Sequence, residues 1–399
     1  MKPKYSVIIP SRNGIKYLHH SILSVLNQKY DDFELLVSIN NSNDNSLEEL
    51  KVYKKDNRFK LINNNFTLPM AKHYERCLNY VNGDWIILIG DDDGLMSNFF
   101  IKADSIINKI DKDAEAIIFS RAMFFWPGCQ TVFGNTVVNY NSKKNIINLD
   151  GIKLIKDILV GKKEHYELPQ LYTNNIIKFS LIKKIKKISN NQFYHEITPD
   201  VYSGVIISMM AKKIYKSFEP LFWTGTSPKS VGLQITNKEI KDNNYDRGKE
   251  HIDLSYEHGL KIAESIGINY WKNNQNSSVY VFSCLNNAIK FSFIKINLNK
   301  YLYYMHANTI FFKIYNLLVK KKIFQNNQIF EVNKIKLFKI SLFSKLIYVF
   351  LLKIIRYLYF KYFYKFFFNT KIKYFISKDR NKFQNFNDIN KYLDEQINV

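Results

Sequence analysis

The chain has 399 residues, 46% of them hydrophobic, and a formal net charge of +23. That length allows two or three domains with a real core, and the apolar content is that of a globular protein. Its three scattered cysteines, Cys77, Cys129 and Cys284, form neither a disulfide framework nor a zinc-binding pattern, and they suit a reducing cytosol.

In chain order, Tyr5 to Ile9 is a β-rich apolar run closed by Pro10. A polar loop, Ser11-Arg12-Asn13-Gly14, follows. Leu18, Ile22, Val25 and Leu26 then recur at helical spacing. Phe33 to Ile39 reads as a second strand running into Asn40–Ser46, a dense cluster of turn formers. A helix is expected from Leu47 to Tyr53, a third strand from Phe59 to Ile62, and a helix from Met70 to Tyr80. Strands alternating with helices predict an α/β fold with a mostly parallel sheet and helices on both faces. The loops after strands one, two and four then converge on one crevice at the carboxyl ends of the strands.

The fourth strand, Trp85 to Ile89, leads through Gly90 into Asp91-Asp92-Asp93-Gly94. Three adjacent carboxylates repel one another unless a cation sits among them. A hard divalent ion with oxygen ligands, Mg²⁺ or Mn²⁺, is the natural partner and shares its shell with a substrate phosphate. The competing reading is a solvated acidic turn.

The succession Ser6-Val7-Ile8-Ile9-Pro10-Ser11-Arg12-Asn13, Ser24-Val25-Leu26-Asn27-Gln28, Phe33-Glu34-Leu35-Leu36-Val37-Ser38 and Gly83-Asp84-Trp85-Ile86, ahead of the triple Asp, resembles the family 2 glycosyltransferases. The resemblance covers roughly residues 4–100, weakens over 101–235 and is absent beyond. Met70-Ala71-Lys72-His73-Tyr74-Glu75 and the triple Asp before Gly94 bring it nearest to bacterial O-antigen, capsule and lipooligosaccharide enzymes. It implies a GT-A fold, a nucleotide-diphosphate sugar donor and a glycan or lipid-linked acceptor. It also implies site residues: Pro10, Ser11, Arg12 and Asn13 bordering base and ribose, with Asn40 and Asn41 near the base. Asn40 stands where many members have Asp, which leaves the nucleotide open. Asp91 and Asp93 match the outer positions of the family's DxD motif. By that match Asp93 and Asp91 take the metal, and Asp91 or Asp92 contacts ribose or metal-bound water.

Further on, a helix is expected from Asp104 to Ile110, a strand from Ala116 to Ser120, and strand-like stretches from Phe124 to Val138 broken at Pro127-Gly128. Lys153 to Val160 reads as another helix. Thr198-Pro199-Asp200 is a helix start, with Thr198 as N-cap, Pro199 at the first helical position and Asp200 favourable to the dipole. Capping alone explains that arrangement. The resemblance adds a second role, because the family opens a helix on the acceptor side with its catalytic base. Asp200 is the first candidate and Glu196 the second. Thr224–Gly232 is either a lid, with Lys229 as a point charge for the diphosphate, or a surface loop.

Asn237 to Lys249 reads as a polar linker and Ile252 to Ile266 as a helix. Residues 286–399 carry 21 Lys and Arg against 5 Asp and Glu, a net +16 interleaved with Phe, Tyr and Leu. Such a surface seeks phosphates in nucleic acid or anionic lipid. Ile340 to Leu352 is interrupted by Lys345 and followed by Lys353 and Arg356. No uncharged run of about 18–20 residues results, which argues against a transmembrane helix. A helix lying in the headgroup layer fits, and so does a packed helical region with basic outer faces. The N-terminus enters a strand pattern at once, with no signal-peptide apolar region.

These readings divide the chain into a GT-A domain at 1–235 (nucleotide-sugar half 1–100, acceptor half 101–235), a helical linker at 236–285, and a membrane-associating helical region at 286–399. The expected activity is inverting sugar transfer to a growing surface glycan, on the cytoplasmic face of the membrane, with no nucleic-acid partner. The rivals are a non-enzymatic nucleic-acid or membrane binder and a nucleotidyltransferase. Carboxylates at the strand ends oppose the first. Ser11–Gly14 is too short for the triphosphate loop the second needs.

Overall fold

A computed structural model of the chain describes residues 2–129, 136–141, 146–232, 247–266, 277–292, 372–376 and 383–397, with isolated positions between 294 and 351. Strands β1 (Tyr5–Ser11), β2 (Phe33–Asn40), β3 (Phe59–Asn64) and β4 (Trp85–Leu88) lie side by side in the order β4-β1-β2-β3, all parallel. Tyr5 is in register with both Phe33 and Trp85. Helices α1 (Ile15–Leu26), α2 (Ser46–Glu49) and α3 (Met70–Cys77) connect them.

Parallel strands are covered on both faces, which is why their sequences read as unbroken apolar runs. Successive side chains serve opposite layers. Val7, Ile9, Leu35, Val37 and Ile87 pack with α1 and α4 (Phe99–Ile107). Ile8, Leu36, Ile86 and Leu88 pack on the other side with α3, α5 (Gly151–Leu159), α6 (Phe179–Ile188) and α7 (Pro199–Met210). Helix α4 begins at Phe99, five residues ahead of its expected start at Asp104, and there the Phe99 amide donates to Gln28 Oε1 at 2.8 Å.

The second half of the sheet is mixed rather than parallel. It comprises β5 (Gly94–Leu95), β6 (Ala114–Phe125), β7 (Thr136–Asn141), β8 (Ile146–Leu149), β9 (Asn175–Lys178), β10 (Lys213–Thr226) and β11 (Ile372–Ile376). Strand β9 runs antiparallel between β4 and β6. Strand β10 pairs parallel with β6 and antiparallel with β5 and β8, while β7 and β11 extend the β6 edge in antiparallel fashion.

Helices α8 (Arg247–Ile266) and α9 (Ser277–Ala288) fall where the sequence reads as a linker. Helix α9 is core: Val281, Phe282 and Leu285 are buried among α5 and α7. Helix α10 (Phe386–Ile397), from the basic C-terminal region, returns to the sheet, with Phe386 and Ile389 buried beside Tyr17, Phe124, Trp126 and Trp223. The expected surface helix around Ile340–Leu352 lies almost wholly outside the described residues. Among the described residues no helix is long and apolar enough to cross a membrane. All three cysteines are free and buried.

Candidate active site

The site begins with a turn held in place from three sides. Ser21 Oγ, on α1, donates to the Asp91 and Asp93 carbonyls at 2.9 and 2.6 Å. Ser24 Oγ accepts from the Leu95 amide at 3.0 Å, and Gln28 Nε2 donates to the Met96 carbonyl at 3.0 Å. Trp126 Nε1 donates to the Asp92 carbonyl at 2.9 Å. Gly225 lies so close that a Cβ there would sit 1.7 Å from the Asp92 carbonyl oxygen. These bonds spend the turn's backbone groups and leave its three carboxylates as the chemistry.

All three carboxylates are buried, and each has its own partners. Asp91 Oδ2 accepts from Ser11 Oγ at 2.6 Å and lies 3.4 Å from the guanidinium of Arg247. Asp92 Oδ2 accepts from Ser227 and Ser230 Oγ at 2.7 and 2.8 Å. Asp93 Oδ1 accepts from the Gly225 amide at 2.7 Å; its Oδ2 accepts from the Gly90 amide at 2.7 Å and from Thr173 Oγ1. Burial, and then the charge of Asp92, raise the Asp93 carboxyl to about 7. Burial, and then the charge of Asp91, raise Asp92 as well, with its two serines and Arg247 opposing. The cluster is therefore short of positive charge.

This turn forms one wall of a cavity of about 700 Å³. Pro10, Thr224 and Gly225 also line it, as do Tyr74, His165, Tyr172 and Asp200. Helices α8 and α9 close it with Arg247, His251 and Tyr280. Asp200 stands in the first turn of α7, after Pro199. Thr198 occupies the N-cap position but makes no side-chain cap bond; its Oγ1 lies 3.8 Å from Cys284 Sγ. Burial holds His165 and His251 below the ordinary imidazole range, against the pull of Asp200, so both are neutral beside it.

The remaining sequence candidates are not among the residues that line this cavity. Glu196 is buried and accepts from Ser283 Oγ and Asn287 Nδ2 of α9, away from the cavity lining. Asn40, expected to read the base, has its amide closed on backbone: Nδ2 donates to the Leu68 carbonyl at 2.8 Å, and Oδ1 accepts from the Leu68 amide at 2.9 Å. Asn41 Nδ2 donates to Thr67. Asn13 stitches the β1 and β2 loops together, accepting from the Asn43 amide, while its own amide donates to Ser42 Oγ. Lys229 is buried and donates to the Asn13 carbonyl. Arg12 donates to the Asn40 carbonyl at 2.8 Å and pairs with Glu250 of α8 at 2.6 Å.

Among the described residues no three His, Cys, Asp or Glu side chains are grouped to hold a metal by themselves. Asp91 and Asp92 fit the other arrangement, in which one or two carboxylates hold Mg²⁺ or Mn²⁺ and a substrate phosphate completes the shell. Asp93 fits poorly, because two backbone amides and a hydroxyl already bind its oxygens. Sequence reading missed Arg247, Glu250 and His251. Their signal was slight: three polar residues at spacings of three and four, hence on one helical face.

Residues 6–155 match the family model described as Glycosyl transferase family 2. That stretch, 150 of the 399 residues, is what the match covers. The α/β sheet, with the loops after β1, β2 and β4 meeting in one crevice, agrees with the arrangement expected from that resemblance. Over 156 residues the chain is 28% identical to the Escherichia coli UDP-Glc:alpha-D-GlcNAc-diphosphoundecaprenol beta-1,3-glucosyltransferase WfgD, covering 39% of this chain and 56% of that protein. Over 97 residues it is 33% identical to the GalNAc(5)-diNAcBac-PP-undecaprenol beta-1,3-glucosyltransferase of Campylobacter jejuni, covering 24% and 31%. The chain thus spans only 31% and 56% of these two relatives. Among solved structures it is similar to S. aureus TarS, at 15% identity and a TM-score of 0.44 over 77% of this chain and 53% of that one. It is also similar to the mannosyltransferase PcManGT from Pyrobaculum calidifontis, solved with GDP-Man and Mn2+, at 12% identity and a TM-score of 0.40 over 79% and 88%. Asp200 and helices α7 to α10 all lie beyond the family-matched stretch.

Proposed function

We propose that this chain is an inverting, metal-assisted glycosyltransferase that moves a sugar from a nucleoside diphosphate to a bacterial surface glycan on a lipid diphosphate carrier. One observation carries the reading: the cation-seeking carboxylates after β4 and the lone carboxylate opening α7 face a single cavity large enough for a sugar and its diphosphate. The kind of acceptor follows the two curated relatives, whose names specify undecaprenol diphosphate-linked sugars.

Asp91 and Asp92 would hold the metal end of the donor, and Ser11, Ser227 and Ser230 fix their carboxylates. A divalent cation bound there would supply positive charge against the departing diphosphate. Asp200 accepts the proton of the acceptor hydroxyl as that oxygen bonds to the anomeric carbon. The bond from that carbon to the phosphate oxygen breaks, and its electron pair leaves with the nucleoside diphosphate. The neutral His165 and His251 orient hydroxyls beside Asp200 without adding a competing cation. Tyr74, Tyr172 and Tyr280 give the sugar rings flat apolar walls. The basic C-terminal region holds the enzyme at the cytoplasmic membrane surface, where such an acceptor resides. Within this reading residues 1–235 form the GT-A body, and α8 to α10 complete it.

The test is a donor panel. With Mn²⁺ and a lipid diphosphate-linked sugar acceptor, one nucleotide sugar should release nucleoside diphosphate and lengthen the acceptor. Release that persists undiminished in EDTA sinks the metal part. No turnover of any common donor sinks the whole.

A further inference from the structure

Helix α8 lays two opposite charges across the crevice, and each meets a group that the proposed donor needs. Arg247 stands 3.4 Å from Asp91, and its guanidinium also donates to the Lys229 carbonyl at 3.4 Å. Three residues on, Glu250 takes Arg12 in a forked pair, with Nε to both carboxylate oxygens at 2.9 Å and Nη2 to one at 2.6 Å. Residues three apart on a helix share a face. That face bridges the ends of β1, β2 and β4: Arg12 follows β1, the Asn40 carbonyl that it also binds ends β2, and Asp91 follows β4. In a sheet of this kind the nucleotide binds at those ends. A metal-bound nucleoside diphosphate offers the same two charges, a cation for a carboxylate and a forked anion for a guanidinium.

We propose that Arg247 and Glu250 form an internal counterpart of the metal–diphosphate pair, one that competes for the nucleotide crevice and sets its affinity. This rests on the nucleotide-sugar reading of the site. Arg247 holds Asp91 against the divalent cation, and Glu250 holds Arg12 against the phosphates. Donor binding exchanges both pairs and lifts the first turn of α8 from the crevice. Neither residue is a donor ligand, so removing either charge tightens binding. A residue that grips the donor would do the reverse, and that makes the proposal sharp.

The experiment measures Mn²⁺ binding to the full chain by electron paramagnetic resonance, and nucleoside diphosphate binding by calorimetry in the presence of Mn²⁺. Arg247→Gln should tighten Mn²⁺ binding without nucleotide by about tenfold, while Arg247→Lys, which keeps the charge, should stay near the wild type. Glu250→Gln should tighten nucleoside diphosphate binding by a similar factor. Glu257→Gln, which removes an equal charge from an exposed position on the same helix, should change little. Unchanged or weaker binding in both Arg247→Gln and Glu250→Gln overturns the proposal. An equal gain in Glu257→Gln also overturns it, by reducing the effect to net charge. If the wild-type chain binds no common nucleoside diphosphate, the nucleotide reading itself fails and this inference with it.

Discussion

Asp200 and Glu196 are four positions apart, yet they lie in different surroundings. Asp200 lines the cavity, whereas Glu196 is enclosed by Ser283 and Asn287 of α9. Asp200→Asn keeps the shape and removes the proton acceptor, so turnover should fall by about 10²–10⁴-fold with donor binding unchanged. Glu196→Gln should turn over normally; if it is inactive while Asp200→Asn is active, the assignment is wrong. Glu196 should show itself in stability instead. Burial raises its carboxyl from 4.5 to about 7, with its hydrogen bonds opposing. Between those values the folded chain keeps a proton that the unfolded chain has released. The associated stability is complete below 4.5 and is lost as pH rises to about 7. Melting temperatures across that range should therefore fall with pH less steeply in Glu196→Gln than in the wild type. Parallel curves would show that Glu196 titrates like an exposed carboxylate.

At the scale of elements, two helices hold the Asp91–Asp93 turn from opposite ends of the chain. Helix α1 ties it through Ser21, Ser24 and Gln28. Helix α10 packs Phe386 so close to Gly94 that a Cβ there would sit 2.5 Å from the ring. Asn390 then accepts from Trp223 Nε1 at 2.7 Å and donates to the Leu95 carbonyl at 3.0 Å. A chain ending at residue 382 should thus lose nucleoside diphosphate binding as well as stability, and Phe386→Ala should destabilise by about 3–5 kcal/mol. Full nucleotide affinity in the truncated protein would show that the turn stands without α10. This dependence could not be read in advance, because Phe-Asn-Asp-Ile-Asn-Lys-Tyr specifies an amphipathic helix but not its docking site. The same limit hid Arg247 and Glu250 and misplaced Asn40, whose partner Leu68 lies on another loop. What was legible had local causes. The buried parallel strands read as apolar runs, and Thr198-Pro199-Asp200 marked the start of α7. The triple Asp announced a charge that needs a counterion, though only the long-range bonds to Thr173 and Gly225 show that Asp93 is tied into the fold. The antiparallel half escaped because alternation and run length say little about strand direction.

Across the whole molecule the charge is uneven, and the fold determines how its purpose can be tested. Residues 286–399 hold a net +16, yet α10, near the end of that region, packs on the central sheet. Deleting the region would therefore confuse loss of a membrane contact with loss of the site. The full chain is the right material, with ionic strength and lipid charge as the variables. Each Lys or Arg near an anionic surface contributes about 1 kcal/mol at most. Several acting together, with aromatic side chains entering the headgroup layer, give firm but reversible attachment. Screening shortens the reach of such charges from about 10 Å at 0.1 M salt to about 3 Å at 1 M. The chain should sediment with vesicles containing anionic lipid at low salt, come off at about 1 M salt, and ignore vesicles of neutral lipid alone. With the acceptor embedded in vesicles, turnover should follow the same salt and lipid dependence. Turnover on a short soluble acceptor should not, because the cavity that binds it is built from the catalytic body. Equal sedimentation with neutral and anionic vesicles, or retention at high salt, would replace electrostatic docking with apolar insertion. Indifference of both activities to lipid would leave the +16 as the outer face of a packed helical region.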